Sequence, residues 1–425
     1  MNNQRLELVA DFYEYTMANG YFNKNMEDKI AYFDVFFRKV PNEGGYAIVA
    51  GLEQIINYIR NLSFDEEDIS YLRKQNKFSE EFLNYLENFR FTGDIWAIPE
   101  GTVVFPNEPL ITVKAPIIQA QLLETMLLLT TNHQSLIATK TSRIVKEAQG
   151  RPVMEFGARR AHGINAAVEG ARAAIIGGAV GTSCTLSAKE FNVPASGTMA
   201  HSWIQSFDSE YEAFKAYAEL YPDDCIFLID TYNTIESGLP NAIKVFNEVL
   251  KPKGYRPKAV RLDSGDLAYL SKKVRKILDE AGYEDCKICA TNSLDEYLIK
   301  SLIEQDAKID LFGVGENLIT AKSEPVFGGV YKLVALEKDK KIVPKIKVSE
   351  NTAKVTNPSF KKVYRFYDNE TKKAIADVIT LADEIIDERE YMIFDPQNPW
   401  KKKVLKDYSI RLLQEKIFEN RKINI

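Results

Sequence analysis

From about Ile144 onward the chain alternates short apolar runs with amphipathic segments, and this alternation constrains the fold more than any other feature of its 425 residues. Apolar runs this short predict buried strands, and apolar residues spaced three and four apart predict the helices between them. About seven or eight such units in succession predict an α/β fold with a closed or nearly closed (β/α) barrel. The candidate strands are "RPVMEFG", "GTSC", "SGTMAH", "CIFLIDTYNT", "KAVRLDSGD", "CKICATNS", "IDLFGVG" and "GGVYKLVAL".

Polar residues end most of these candidate strands. In a (β/α) barrel the carboxyl ends of all strands meet at one face, and such enzymes hold their active sites there. We therefore expect side chains spread over about 160 positions to converge. They are Glu155, Arg159, Arg160, Thr198, His201, Asp230, Thr231, Arg261, Asp263, Asp266, Thr291 and Asn292, followed by the glycines of "GVG".

Segments with a different sequence pattern flank the predicted barrel. Residues 1 to about 120 mix helical segments with a β-like stretch punctuated by Pro and Gly, "FTGDIWAIPEGTVVFPNEPLITVKAP". Charged short strands follow from about Leu336 and are able to pack back on the N-terminal section. The length of the chain also indicates more than one domain.

The composition is that of an ordinary globular protein. The 55 basic and 60 acidic side chains give a formal net charge of −5. This balance argues against a nucleic-acid binder that relies on one broad basic surface, but it leaves room for a local basic pocket. We predict no signal peptide and no membrane segment. Four cysteines without such a signal indicate a reduced, cytoplasmic protein, and "CKIC", which has no second CxxC, is interpreted as a structural strand.

Two arginine-bearing motifs suit anion binding. In "EFGARRAHG", Arg159 and Arg160 follow a strand where a helix would begin, which suits a phosphate or carboxylate; a solvated pair of arginines is the alternative. In "AVRLDSGDL", Arg261 can form a forked pair with a carboxylate, while Asp263 and Asp266 can orient it, bind a ribose hydroxyl or hold Mg²⁺ through water. The alternative is a capped turn in which "DSGD" starts the next helix.

Glycines and one histidine complete the candidate set. His201 in "SGTMAHSWIQSF" is one of three histidines. A lone buried histidine is more often structural, but at an active-face strand end a neutral imidazole can act as nucleophile or proton carrier. Backbone amides in the last two βα loops of a barrel commonly bind phosphate. The glycines placed to do so are Gly313, Gly315, Gly328 and Gly329.

Taken together, these segments resemble the nicotinate phosphoribosyltransferase family. The ensemble is highly specific although no single motif is, and it covers residues 11 to about 335 in family order. The motifs are "DFYEYTMANGYF", "GGYAIVAGLE", "GDIWAIPEGTVVFPNEPL", "ETMLLL", "LIATKTSRI", "EFGARRAHG", "SGTMAHSWIQSF", "LIDTYNT", "VRLDSGDL", "FGVGENLIT" and "PVFGGVYKLV".

The resemblance implies the type II phosphoribosyltransferase architecture. Residues 1–135 with about 336–425 would form an α/β sandwich-like domain completed by the C-terminal segment. Residues 136–335 would form an irregular α/β barrel that carries the active site. The resemblance also implies a homodimer in which Tyr13 reaches the neighbouring subunit's site, with small-molecule substrates and neither nucleic acid nor membrane as partners.

The resemblance further implies a reaction of NAD salvage. Nicotinate and phosphoribosyl pyrophosphate would give nicotinate mononucleotide and pyrophosphate, with Mg²⁺ and with ATP hydrolysis coupled through a phosphohistidine. His201 matches the phosphorylated histidine, and Tyr13 looks like the residue that stacks on the pyridine ring. Thr198 and Arg261 match positions that meet nicotinate, and Arg159 is placed to meet the substrate. Ribose and phosphate contacts are assigned to Arg160, Asp263, Ser264, Gly313, Gly315, Gly328 and Gly329, and possible metal ligands to Asp230 and Asp263.

Some positions depart from the family pattern. Ala179 and Val180 stand where Phe and Asp are usual, Cys184 where Asn is usual, and Asn233 where Asp is usual. Glu316 stands where Thr is common, and it matters most because an acid near a phosphate site needs Mg²⁺ or an arginine beside it.

Other functions stay open at this point. A related phosphoribosyltransferase could act on nicotinamide, which would make Arg261 less useful, or on quinolinate, which would call for extra cations. A phosphosugar-handling barrel lyase would need a lysine at a strand end for a Schiff base, but Lys332 in "VYKL" lies mid-strand. A non-catalytic metabolite sensor would bind the same ligands without turnover.

Overall fold

The computed structural model describes residues 6–350, 354–387, 389–396 and 398–419, and the backbone of residues 422–423. No helix in these ranges is both long and apolar enough to cross a bilayer. The helices are α1 (Phe12–Phe22), α2 (Leu52–Asn61), α3 (Glu66–Lys74), α4 (Glu80–Glu87), α5 (Ile117–Gln121), α6 (Glu124–Glu147), α7 (Ile164–Ile176), α8 (Thr185–Glu190), α9 (His201–Gln205), α10 (Glu210–Leu220), α11 (Leu239–Val245), α12 (Leu267–Glu280), α13 (Glu296–Glu304) and α14 (Glu316–Ile319).

The strands fall into two groups along the chain, which divides into a first unit, residues 1–135 with 326–425, and a second unit, residues 136–325. They are β1 (Ile30–Phe37), β2 (Ala47–Ile48), β3 (Asp94–Ala97), β4 (Val103–Val104), β5 (Ile111–Pro116), β6 (Val153–Glu155), β7 (Ile226–Leu228), β8 (Ala259–Leu262), β9 (Lys287–Ala290), β10 (Leu311–Val314), β11 (Gly329–Lys338), β12 (Lys341–Pro344), β13 (Lys361–Asp368), β14 (Ala374–Leu381), β15 (Glu390–Asp395), β16 (Asn398–Lys406), β17 (Tyr408–Leu412), β18 (Glu415–Glu419) and β19 (Lys422–Ile423).

The first unit is built on an antiparallel sheet of order β12-β11-β1-β5-β3-β18-β19. The sequence of β1, "IAYFDVFF", is apolar at nearly every position, and all but its first residue are buried. A strand of this kind is covered on both faces. Smaller antiparallel sheets, β14-β13-β17, β15-β16 and β2-β4, belong to the same unit.

Strand β11 corrects the sequence prediction, which included "GGVYKLVAL" among the barrel strands. It pairs antiparallel with β1, from Phe37 opposite Gly329 to Ala31 opposite Leu336. Tyr331 of β11 stacks on Phe33 with ring centroids 4.7 Å apart. The pairing with β1 thus places these residues in the sheet of the first unit rather than among the parallel strands of the second.

The second unit contains a parallel sheet of order β6-β10-β9-β8-β7. Its strands have three or four residues and are almost entirely buried, since helices follow each of them. Phe227 of β7 lies between Phe214 and Phe246, with centroid distances of 4.6 and 5.5 Å. This aromatic stack packs the flanking helical segments on the sheet.

A mixed α/β fold with a parallel sheet is confirmed, but a closed barrel of seven or eight strands is not. Of the predicted strands "GTSC" and "SGTMAH", only the first contributes parallel bridges in the described chain, and these are single ones that join Thr182 to Glu155 and to Ala195, the residue before "SGTMAH". Glycine and small hydroxyl residues have little side chain to pack on a sheet, so these segments run beside it without forming a ladder.

A buried group of two carboxyls and one guanidinium lies in the first unit. Arg365 donates to both oxygens of Asp377, at 2.7 and 2.6 Å, and to the Val103 carbonyl. Glu108 lies beside them and accepts a hydrogen bond from the Phe105 amide. Burial raises the pKa of Glu108 well above its ordinary range, and the neighbouring Asp377 charge adds to the rise.

Glu108→Gln is expected to change how the stability of the protein depends on pH. In the unfolded chain the residue loses its proton near pH 4.5, whereas the folded protein holds it to a higher pH. The wild-type free energy of unfolding therefore falls by up to about 1.4 kcal/mol per pH unit above the unfolded pKa, until the folded pKa is passed. At pH 8 the variant should be about 1–3 kcal/mol more stable than wild type.

Urea unfolding at pH 5 and pH 8 measures this difference. Glu370→Gln, at an exposed residue of the same unit, is the matched control and should follow wild type. Parallel pH profiles for wild type and Glu108→Gln would show that Glu108 titrates normally.

Candidate active site

Arg261 lies at the centre of the predicted site. It is the third residue of β8 and pairs in register with Leu228 of β7 and Cys289 of β9. Its side chain is 15% exposed. A guanidinium held this deeply must be paired, because an unpaired buried charge is strongly destabilising.

Three segments supply the partners of that guanidinium. Arg261 Nη1 donates to Thr198 Oγ1 at 2.8 Å, Nε donates to Thr291 Oγ1 at 2.9 Å, and Nη2 donates to Asp263 Oδ1 at 3.0 Å. The structure thus brings together residues that lie far apart in sequence, as the strand-end argument predicts. Each of these polar loops is tied to the same cation.

Asp263 connects Arg261 to His201. Its Oδ1 accepts from Arg261 and from the Thr291 hydroxyl, while its Oδ2 lies 3.7 Å from His201 Nε2. The other ring nitrogen of His201, Nδ1, is 3.1 Å from Thr231 Oγ1. Both imidazole nitrogens therefore have a polar neighbour, which fits a reactive histidine better than one buried in an apolar core.

His201 is held at the start of α9 by the packing of the residues that follow it. Trp203 Nε1 donates to the Ala213 carbonyl at 3.1 Å, and the Trp203 ring lies 4.8 Å from that of Phe207. Ile204 is fully buried. These contacts fix the backbone of α9, while the His201 side chain stays 40% exposed and open to a ligand.

Asp230 joins the loops after β7 and β8. Its Oδ2 accepts from the Asp263 amide at 2.8 Å and from Ser264 Oγ at 2.6 Å. Its Oδ1 is buried without a hydrogen-bond partner. Among the described residues there is no cluster of three or more His, Cys, Asp or Glu that could hold a metal. Since Mg²⁺ commonly takes one or two carboxylates and completes its shell with substrate phosphates and water, Asp230 fits such a shared ion.

The loop after β6 carries the predicted arginines. Glu155, fully buried, accepts hydrogen bonds from the Gly157 amide and, at 2.6 Å, from Thr182 Oγ1. Burial raises the pKa of Glu155, and these two hydrogen bonds oppose the rise. The bonds fix the short turn Ala158–Arg160, in which Arg159 and Arg160 are both exposed.

Arg160 lies near Glu316, the departure that sequence analysis singled out. Arg160 Nε is 3.8 Å from Glu316 Oε2, and Lys322 Nζ is 3.0 Å from Glu316 Oε1. An acid at this position was expected to need an arginine beside it, and Arg160 is that neighbour. Lys322 was not among the predicted residues, although it precedes the glycine-rich "FGG" by only a few positions.

The four predicted phosphate-binding glycines are divided between the two units. Gly313, within β10, allows close packing, because a Cβ there would lie 2.6 Å from the Phe156 ring. A Cβ on Gly315 would lie 3.1 Å from the Phe156 carbonyl. Gly328 adopts a φ of +73°, and Gly329 donates its amide to Asn132 Oδ1 at 2.7 Å in the first unit. Their role in phosphate binding stays a prediction.

Tyr13 belongs to the first unit, on α1, and is 44% exposed. Partial burial is the larger cause that raises the pKa of Tyr13, and the nearby Glu124 carboxylate adds to the rise. Sequence reasoning left out Thr182 and gave Thr231 and Thr291 no individual role. Thr231 and Thr291 stood among the strand-end polar residues, and that position was the available signal.

Comparison with known proteins identifies the family. The model of the nicotinate phosphoribosyltransferase N-terminal domain matches residues 8–132, that of the nicotinate phosphoribosyltransferase family matches residues 152–380, and that of the C-terminal domain matches residues 360–424. A nicotinate phosphoribosyltransferase of Bacillus subtilis is 47% identical over 415 residues, which cover 97% of this chain and 84% of the relative. The human protein of that name is 30% identical, over 89% of this chain and 80% of its own length.

Solved structures agree. The crystal structure of human nicotinic acid phosphoribosyltransferase superposes with a TM-score of 0.86 at 26% identity, covering 98% of this chain and 90% of that one. A nicotinate-nucleotide pyrophosphorylase from Pyrococcus furiosus superposes with a TM-score of 0.76 at 25% identity, covering 100% and 92%. The chain belongs to the nicotinate phosphoribosyltransferase family.

Proposed function

We propose that this protein transfers the phosphoribosyl group of phosphoribosyl pyrophosphate to nicotinate, giving nicotinate mononucleotide and pyrophosphate, and couples the transfer to ATP hydrolysis through phosphorylated His201. The observation that carries the proposal is the connected set Thr198, Arg261, Asp263 and His201. In that set a preorganised guanidinium and an accessible imidazole share one carboxylate.

Arg261 is assigned to the carboxylate of the pyridine substrate. One N–H of Arg261 Nη2 is not used by Asp263 and can meet a carboxylate, and the orientation of the guanidinium is already fixed by Thr291 and Asp263. Thr198 lies on the Nη1 side and is assigned to the same substrate. A neutral nicotinamide would make less use of this charge, and quinolinate would need a further cation at the same place, so nicotinate is favoured.

The transfer itself demands positioning and charge stabilisation. The bond between the anomeric carbon and pyrophosphate breaks as the pyridine nitrogen bonds to that carbon, and positive character develops on the ribose. Arg159, Arg160 and the glycine-bearing loops are assigned to the phosphates, and Asp263 and Ser264 to the ribose or phosphate. Bound Mg²⁺ would neutralise charge on the departing pyrophosphate, with Asp230 as its protein ligand because one of its buried oxygens has no other partner.

His201 is assigned to accept the γ-phosphoryl group of ATP. A ring-nitrogen lone pair bonds to phosphorus as the bond to the ADP oxygen breaks. Thr231 faces one ring nitrogen and Asp263 faces the other, so the nitrogen that keeps its proton retains a polar partner. The phosphohistidine can raise substrate affinity only to the extent that it favours the binding-competent state.

The assembly and surroundings are part of the same proposal. We expect a homodimer in which Tyr13 of one subunit stacks on the pyridine ring bound by the other. The exposure of Tyr13 together with Phe12 and Met17 on α1 supports an interface there, since exposed apolar clusters commonly mark contact sites. We further propose that the parallel strands, with the bridged segments at Thr182 and Ala195, belong to an irregular barrel in a cytoplasmic enzyme.

A substrate assay tests the proposed reaction. With phosphoribosyl pyrophosphate and Mg²⁺, the protein should form nicotinate mononucleotide from nicotinate, and ATP should stimulate the rate. Nicotinamide and quinolinate should react at least about 100-fold more slowly, because neither matches one guanidinium fork. Chromatography of the products measures all three reactions, and a failure to form nicotinate mononucleotide with or without ATP would rule the proposal out.

Arg261→Lys should lower kcat/KM for nicotinate. The variant keeps the charge but loses the fork, which costs about 2 kcal/mol or about 30-fold. Arg256→Lys is the matched control, because Arg256 forms a forked pair with Asp285 at the surface of the same unit. If both variants retain wild-type kcat/KM, Arg261 does not bind the carboxylate.

His201→Ala should abolish acid-labile phosphorylation and ATP stimulation while retaining some ATP-independent transfer. The reason is that the assigned phosphoryl acceptor is lost, whereas Arg261 and Thr198 stay in place. Labelling with γ-³²P-ATP and rate measurement with and without ATP distinguish the two effects. His162→Ala, at an exposed histidine, should behave as wild type. Undiminished ATP stimulation in His201→Ala would refute the role of His201.

A further inference from the structure

Arg160, Glu316 and Lys322 form a charged group at the carboxyl ends of β6 and β10. These strands pair in parallel, with Glu155 opposite Val314, so the loops that follow them are neighbours. Glu316 lies between the two cations, with Arg160 Nε at 3.8 Å from one of its oxygens and Lys322 Nζ at 3.0 Å from the other. The Glu316 carboxylate thus lies within ion-pair distance of both cations.

Hydrogen bonds of neighbouring residues hold the backbone that carries this group in place. Asn317 Nδ2 donates to the Ser293 carbonyl at 2.8 Å, which fixes the residue after Glu316. Ser323, next to Lys322, accepts a hydrogen bond of 2.9 Å from Lys140 Nζ. Lys140 is itself paired with Glu296 at 2.6 Å, and both side chains are buried. The positions of Glu316 and Lys322 are therefore part of the fold rather than features of a free loop.

The charged ends of the three side chains remain open to a ligand. Their exposed fractions are 60% for Arg160, 45% for Glu316 and 65% for Lys322. The Lys322 hydrogen bond and charge, with a smaller contribution from Arg160, hold the pKa of Glu316 below its ordinary value. Near neutral pH the acid is ionised, and exposed pairs of this kind contribute little to stability, so a stronger anion can replace the carboxylate.

We propose that Arg160 and Lys322 together bind the phosphate groups of the substrate, and that Glu316 is a built-in competitor that a phosphate-bearing ligand must displace. This inference rests on the proposed function, because it takes the diphosphate of phosphoribosyl pyrophosphate, or the pyrophosphate product, as the ligand. It adds Lys322 to the binding residues. It also assigns Glu316 the role of weakening diphosphate binding so that the product can leave.

Neutralising Glu316 should change the affinity for diphosphate in opposite directions if Glu316 competes with the ligand and if it assists binding. If Glu316 competes for the two cations, its neutralisation strengthens diphosphate binding. If Glu316 instead assists binding, for example by holding a cation that accompanies the phosphates, its neutralisation weakens binding. The sign of one measured change therefore decides between them.

Calorimetric titration of the full-length protein with sodium pyrophosphate, without and with Mg²⁺, measures that sign. Glu316→Gln should lower the Kd by about 3- to 10-fold at low ionic strength, as expected for one charge within a few ångströms of an exposed anion, and salt should reduce the gain. Asp306→Asn is the matched control. It removes one carboxylate of an exposed pair with Lys308, located before β10 rather than after it, and should leave the Kd unchanged.

A second variant tests Lys322. Adding Lys322→Met to Glu316→Gln should cancel the gain in affinity, because the cation that the carboxylate had occupied is gone. An unchanged or higher Kd in Glu316→Gln, or a gain that survives loss of Lys322, would overturn the proposal. This test is separate from the substrate assay. Tighter pyrophosphate binding without formation of nicotinate mononucleotide would refute the proposed reaction alone, and the reverse would refute this inference alone.

Discussion

The pairing of Arg261 with Asp263 is the interaction on which the geometry of the candidate site depends. A guanidinium that is only 15% exposed has several donors, and leaving them without acceptors would be costly. Thr198, Thr291 and Asp263 meet that demand from three different segments. The loops of the second unit are therefore positioned by the requirements of one cation, and His201 follows because it lies beside the same carboxylate.

Two carboxylates fix the position of other loops in the same way, by accepting hydrogen bonds from them. Glu155 accepts the amide of Gly157, two residues after the end of β6, and Asp230 accepts the amide of Asp263, just after β8. In both cases a carboxylate satisfies a backbone donor that the short strand leaves without a ladder partner. Glu155 uses its second oxygen on Thr182, whereas Asp230 keeps a buried oxygen without a partner. That difference separates a purely structural acid from one able to bind an ion.

Strands were predicted most accurately where both faces of a strand are buried, because its sequence is then a continuous apolar run. The strands β8, β9 and β10 and their polar ends were predicted on this basis, and the structure brings Thr198, His201, Arg261 and Asp263 together. The same signal placed β11 in the wrong sheet, since an apolar run does not specify whether its partner is parallel or antiparallel.

Glycines show a related limit of sequence reasoning. A glycine after a strand permits close approach of the backbone, but the sequence does not say to what. At Gly313 the neighbour is the ring of Phe156, so packing alone explains that residue. Lys322 was missed because nothing in the sequence of this loop shows that its side chain pairs with Glu316, six residues earlier.

The two kinds of cation in the second unit suit the two kinds of anion that the proposed reaction handles. Arg261 is only 15% exposed and is already oriented by its protein partners, so in the proposed role it loses little side-chain entropy on binding and discriminates by shape. Arg160 and Lys322 are exposed, and their attraction for phosphate is weaker and less directional. A diphosphate carries enough charge to bind there without exact geometry. Its release is then harder to achieve than its binding. In the proposed role, an internal carboxylate such as Glu316 weakens diphosphate binding where excess affinity would slow turnover.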